Sequence, residues 1–282
     1  APYEIPLILL KGAAYVAAGL PAAQGRLFAD IDILVPHERL GAAESALMLT
    51  GWQSSVTDDY DQRYYRRWMH ELPAMRHVFR GTTLDVHHTI LPPTARLKPD
   101  ARLLIEASVE IPGLPGVRTL ALEDLILHSA SHLFHEGEPD NLLRDLTDLD
   151  LLLRHLGRDD SAWDALVVRA ERLQLSGPLG LALRYTERLL DTPIPARIRT
   201  HVGNDTKGGA GQRLVDFLYR RMLRPQHPST ADRFTSIARK ALYIRAHWLR
   251  MPPLLLAYHL AHKAFFPPKP ETLPPMDEKK AA

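Results

Sequence analysis

After Pro92-Pro93 the apolar residues of this 282-residue chain change their period, and that change constrains the fold more than any other feature. From Leu122 onward, nearly every stretch places apolar side chains at i, i+3 and i+4 between Gly or Pro breaks. This is the period of helices packed on a common core. It predicts helices over Leu122–His135, Leu142–Leu156, Ser161–Leu173, Gly180–Leu190, Ala196–His201, Gln212–Leu223, Ala231–Arg250 and Leu254–Phe266. Before the prolines, strand-length runs alternate with helical ones. Ile5–Leu10 reads as a strand ending near Gly12, Ala13–Gly19 as a short helix, and His37–Thr50 as a helix stopped by Gly51. Trp52–Thr57 fits another strand, and Arg76–Arg80 with Thr82–Thr89 fits an antiparallel pair turning at Gly81. Tyr60–His70, polar and aromatic, matches neither period. The chain is therefore expected to be α+β, with a mixed β-sheet core over residues 1–93 and an α-helical domain over 94–266. The proline- and charge-rich stretch 267–282 is expected to be a disordered tail.

Thirty-five basic residues against 33 acidic ones leave a formal charge of +2, too balanced to imply a nucleic-acid partner from bulk charge. No cysteine is present, which excludes disulfides and thiolate metal sites and fits a cytoplasmic setting. The longest apolar stretch, Met251–Phe266, is broken by Pro252, Pro253, His259, His262 and Lys263, so no transmembrane helix is expected. The opening Ala-Pro-Tyr carries neither methionine nor a signal-peptide arrangement, which leaves room for residues upstream.

The chemistry concentrates in Asp30-Ile-Asp-Ile-Leu-Val35. Period-two alternation sets Asp30 and Asp32 on one face of a strand and Ile31 and Ile33 on the other. Two carboxylates side by side suit a hard divalent cation. Asp85, flanked by Leu84 and Val86 on a later strand, supplies a third if the two strands are neighbours. Three clustered carboxylates repel one another and favour bound metal. Upstream, Lys11-Gly12-Ala13 puts a glycine where a strand turns into a helix, leaving backbone N–H groups open to phosphate. Arg26, four residues before Asp30, is placed either to grip phosphate with its forked guanidinium or to pair with Asp30.

The runs Leu9-Leu-Lys-Gly-Ala-Ala14, Arg26-Leu-Phe-Ala-Asp-Ile-Asp-Ile-Leu-Val35 and Leu84-Asp-Val-His87 resemble the uncharacterised bacterial nucleotidyltransferase family of the minimal, polymerase-β-like superfold. His70-Glu71-Leu72-Pro73, Leu122–His128 and Leu143-Arg-Asp-Leu-Thr-Asp148 are similar to that family's middle portion, so the resemblance runs from about Ile5 to Leu190. It implies that Asp30 and Asp32 hold Mg2+ or Mn2+, that Asp85 is a third ligand and general base, and that Gly12 lies beside the phosphates of a nucleoside triphosphate. Lys11, Ala13 and Arg26 would complete the nucleotide site. Ala13 departs from the Gly or Ser usual in the wider superfamily, so a phosphate-binding hydroxyl is missing. The resemblance also favours His128 near the acceptor. The acceptor itself, whether a small molecule, a protein side chain or an RNA end, is not implied.

Several blander assignments compete. His87 either orients Asp85 or a phosphate, or simply packs. His128, His132 and His135 at i, i+4 and i+7 share a helix face, which suits either core packing or a metal-dependent hydrolase. The basic, aromatic-studded segment from Arg220 to Arg250 is a solvated face or a partner surface. A catalytically silent nucleotide-binding or partner protein of the same fold is the alternative to an enzyme.

Overall fold

Alternating residues in Asp30–Leu34 build the middle strand of a seven-stranded mixed sheet, because each strand face meets a different layer. The computed structural model describes residues 5–27, 30–135, 141–157, 159–204 and 209–265. Its strands are β1 (Leu7–Leu9), β2 (Asp30–Leu34), β3 (Trp52–Ser54), β4 (Met75–His77), β5 (Thr83–His87), β6 (Val109–Glu110) and β7 (Val117–Thr119). They lie in the order β3-β4-β5-β2-β1-β7-β6. β2 runs parallel to β5 and antiparallel to β1, β1 runs parallel to β7, and the remaining pairs are antiparallel.

The two faces of β2 bury different neighbours. Ile33 and Val35 join Met75, Leu84, Val86 and Ala43 in a small cluster beneath α2 (Leu40–Leu49). Leu34, with Ile8 and Leu10, faces the larger core made by α5 (Leu122–His135), α6 (Leu142–Leu156), α7 (Asp160–Arg172) and α8 (Ser176–Leu190). Since Asp30 and Asp32 share parity with Leu34, the same alternation aims both carboxylates toward the helical side. α5 is the hub of that side and packs on α6, α7 and α8. Trp163 of α7 is fully buried there, its indole N–H donating to Gly157 O at 3.0 Å.

α1 (Lys11–Ala17) follows β1, and α9 (Ala196–Asn204), α10 (Ala210–Met222), α11 (Thr235–Arg250) and α12 (Pro253–Phe265) complete the chain in order. Two stretches differ from expectation. Residues 59–68, which fit neither period, form a helix, α3 (Asp59–Trp68), started by Asp58, whose carboxylate accepts from the N–H groups of Tyr60 and Asp61. Residues 94–121, assigned to the helical part, supply the helix α4 (Ala101–Ala107) together with β6 and β7 of the sheet. Strands of two and three residues are too short to display alternation. The tail 267–282 and residues 205–208 lie outside the described residues. Among those described, no helix is long and apolar enough to cross a membrane.

Asp216 of α10 ties that helix to α8. It accepts from Arg184 and Arg188, from the Tyr185 hydroxyl at 3.0 Å and from Gln212 at 3.2 Å. Burial would raise its pKa, but these donors outweigh it and pull the carboxyl down to about 2. A depressed folded-state pKa gives stability that is present above the unfolded value and lost as pH falls through the folded one. Acid unfolding is therefore expected to lose roughly 1–2 kcal/mol between about pH 4 and pH 2 from this group. Urea melts of Asp216→Asn should lack that part of the acid sensitivity.

Candidate active site

The site begins at the turn from β1 into α1. Leu10 is still extended, and its N–H donates to Asp32 O at 2.9 Å. Lys11 then enters the left-handed region at φ 45°, a conformation that costs a non-glycine residue about 1–2 kcal/mol. That turn brings the Lys11 ammonium onto Asp32 Oδ1 at 3.0 Å. Gly12 follows on the wall of a cavity of about 690 Å³, whereas Ala13 is buried behind it and does not line the cavity.

Register places the carboxylates. β2 and β5 pair so that Asp32 sits opposite Asp85 and Asp30 opposite Thr83. All three aspartates line the cavity. Asp32 is almost fully buried, Asp85 half-buried and Asp30 exposed. Asp85 lies in the next strand across, about 4.8 Å away in the hydrogen-bonding direction. Burial first, then the charges of Asp32 and Asp30, push the Asp85 carboxyl up to about 6. Asp32 goes the other way. Its burial is outweighed by the His87 hydrogen bond and the Lys11 charge, which hold it well below the usual carboxylate range.

His87 is therefore more than packing. Two residues on from Asp85 and on the same face, its Nε2 lies 3.0 Å from Asp32 Oδ1 and 3.4 Å from Glu71 Oε2. Burial opposes its protonation, but Asp32 and Glu71 prevail and raise its pKa. The imidazole orients Asp32 rather than Asp85. Among the described residues, ligand atoms lying within 4.8 Å of one another belong to His70, Glu71 and His87, and the three aspartates form no group that tight. Bare carboxylates repel one another.

The opposite wall comes from α5 and α6. Arg26 reaches across to Asp148 of α6, not to Asp30, and lies over the Tyr15 ring with its centroid 5.2 Å away. Burial raises the Asp148 carboxyl and Arg26 only partly offsets this. Asp145 is also buried, yet His132 Nδ1 at 3.6 Å and Arg144 at 3.2 Å pull it below the usual value. His128 is buried in α5 and does not line the cavity, whereas Ser129 and His132 do. The three α5 histidines form no metal-ligating group among the described residues. Sequence reasoning met Glu71 only within the family-like run His70–Pro73 and gave it no role in the site. It also missed the wall role of Asp145 and Asp148, although their i, i+3 spacing put both on one helical face.

A carboxylate-lined cavity between a mixed sheet and a helical wall suits chemistry on a metal-bound phosphate. The chain belongs to the family described as uncharacterised nucleotidyltransferases, which matches residues 1–191, and it is a transferase of that kind. No curated protein matches. The solution structure of the antibiotic-resistance factor ANT(2'')-Ia is similar at 19% identity, with a TM-score of 0.40, covering 65% of this chain and 90% of that one.

Proposed function

We propose that this protein moves a nucleoside monophosphate from a nucleoside triphosphate to an acceptor hydroxyl, releasing pyrophosphate, with Mg2+ or Mn2+ at Asp30, Asp32 and Asp85. The observation that carries this reading is the register of β2 on β5, which sets Asp32 opposite Asp85 with Asp30 on the same face, all on one cavity wall. The donor set is hard oxygen, and the Asp85 carboxyl is raised first by burial and then by the charges of Asp32 and Asp30, which a divalent cation would neutralise. When bound, the metal supplies charge neutralisation to the triphosphate and to the transferring phosphoryl group.

The chain's own groups have separable tasks. Asp85, on the cavity wall opposite Asp32 in the sheet register, accepts the proton of the attacking hydroxyl. His87 fixes the rotamer of Asp32. Lys11, which sits on Asp32, would be free to meet the triphosphate if a metal neutralised that carboxylate, and Gly12 and Arg26 border the same space. The sheet-bearing part serves as the catalytic core, and α5 and α6 of the helical part form the acceptor side. The acceptor remains a hydroxyl on a small molecule, a protein or an RNA end, and the compartment proposed is the cytoplasm.

The alternative, a catalytically silent nucleotide-binding or partner protein, is favoured by one observation: the Lys11 ammonium already sits on the Asp32 oxygen that a metal would seek. Calorimetric titration with each of the four ribonucleoside triphosphates, with and without Mg2+, separates the readings. The wild type is expected to bind one of them with a Mg2+-dependent gain that falls at least about tenfold in Asp30→Asn/Asp32→Asn. Binding that ignores both Mg2+ and the substitutions would favour the silent protein. No binding at all would remove both.

A further inference from the structure

Two imidazoles and a carboxylate converge beside the three aspartates and share His87 with them. His70 Nε2 and His87 Nε2 lie 3.9 Å and 3.4 Å from the same atom, Glu71 Oε2. All three ligand atoms fall within 4.8 Å of one another. Zinc bonds of about 2.0–2.2 Å to nitrogen and oxygen at a tetrahedral angle set ligand atoms about 3.4 Å apart. The His87–Glu71 edge already has that length, and the His70–Glu71 edge is half an ångström longer. The backbone holds the trio in place. Glu71 makes an isolated antiparallel bridge with His87, the Leu72 N–H donates to Val86 O at 2.9 Å, and the His88 N–H donates to His70 O at 2.9 Å. The three side chains therefore sit on paired backbone rather than on a free loop. His70 and His87 are buried, while Glu71 is partly exposed on the cavity wall and leaves a route of entry.

His87 Nε2 faces Asp32 Oδ1 at 3.0 Å as well as Glu71 Oε2 at 3.4 Å, so a cation held by the trio would share His87 with Asp32.

We propose that His70, Glu71 and His87 form a second cation site, selective for a divalent transition metal that favours imidazole, such as Zn2+, over Mg2+. The ligand chemistry makes the distinction: three hard carboxylates on β2 and β5 suit Mg2+, whereas two imidazoles and one carboxylate suit zinc. Three protein ligands leave the remaining positions to water. His87 couples the two sites. Ligation through Nε2 leaves no proton on that nitrogen, so zinc uptake would release Asp32 Oδ1 from its contact with the imidazole. The site stands whether or not the protein transfers nucleotides.

The test uses the chelator-treated full chain, titrated with Zn2+ against a chromophoric competitor. One equivalent per chain is expected, unaffected by millimolar Mg2+, weakened at least about 100-fold in His70→Gln/Glu71→Gln and retained in Asp85→Asn. Circular dichroism and thermal melting check that each variant folds. If the double variant does not fold, wild-type protein loaded with Co2+ decides alone. Two paramagnetically shifted exchangeable imidazole protons at one equivalent, one from each Nδ1–H, are expected. Absence of stoichiometric Zn2+ uptake, equal affinity in the folded double variant, loss of the site in Asp85→Asn, or any other number of shifted imidazole protons overturns the proposal.

Discussion

Asp85→Asn is expected to lower the turnover rate of nucleotidyl transfer by about 10²–10⁴-fold, the range a general base contributes, while the fold survives. The same substitution has a second signature that a merely structural aspartate would lack. In metal-free protein the Asp85 carboxyl is raised to about 6 by burial and by Asp32 and Asp30. A raised folded-state pKa gives stability that is full below the unfolded value, near 4, and is lost as pH rises through 6. In chelator, the wild type should lose about 2 kcal/mol across that interval, after allowance for the partial exposure of the group. Asp85→Asn should not, so above pH 7 the slow enzyme is the more stable protein. Urea melts at pH 4 and 7.5, with and without Mg2+, measure this directly. If turnover persists within threefold in Asp85→Asn, the base lies elsewhere. If the pH dependence of stability is unchanged, the carboxylate cluster is not the source of repulsion.

Much of the site's scaffold was legible because two periodicities locate it. Alternation in Asp30–Leu34 fixes which face carries the carboxylates, and the helical period fixes α5 and α6, whose bounds, Leu122–His135 and Leu142–Leu156, agree with expectation. What periodicity cannot supply is the pairing of distant segments. The opposition of Asp32 and Asp85 depends on β2 lying parallel beside β5, and 55 residues separate Asp32 from its imidazole partner His87. Arg26 has two acidic candidates at different ranges. A local rule favours Asp30, four residues away, whereas the fold delivers Asp148, 122 residues away. The choice follows from α6 packing on the short turn Pro21–Ala23 that precedes Arg26, which no local pattern encodes. Short elements were lost for a different reason. β6 and β7 hold their place through pairing in the sheet and through Arg118, which donates to Ser108 Oγ at 2.8 Å, rather than through residue preference.

Behind the helical wall of the cavity Arg169 and Asp124 form a buried charge pair, and breaking it should cost more stability than most single changes. Arg169 of α7 donates from Nε and Nη2 to the two oxygens of Asp124, both at 2.7 Å, and from Nη2 to Leu103 O in α4, also at 2.7 Å. Asp124 has no exposed surface. Burial alone would drive its carboxyl up, and Arg169 offsets that only in part, so it stays above the usual value. Arg169→Met strands this carboxyl and is expected to cost about 3–5 kcal/mol at neutral pH. The sign of the pH dependence identifies the cause. With its guanidinium gone, Asp124 takes up a proton more readily in the folded than in the unfolded chain, so the deficit shrinks as pH falls toward 4 and grows as pH rises. Asp124→Leu/Arg169→Met removes both charges and should recover most of the loss, since apolar side chains fill such sites at little cost. The carboxylates of β2 and β5 do not touch this pair, and α5 carries Ser129 and His132 into the cavity. Turnover per folded molecule should therefore keep its Asp85-dependent pH profile while acceptor KM shifts. Chemical denaturation at pH 5 and 8 distinguishes the outcomes. A deficit that is the same at both values would mean that lost packing, not a stranded charge, sets the cost.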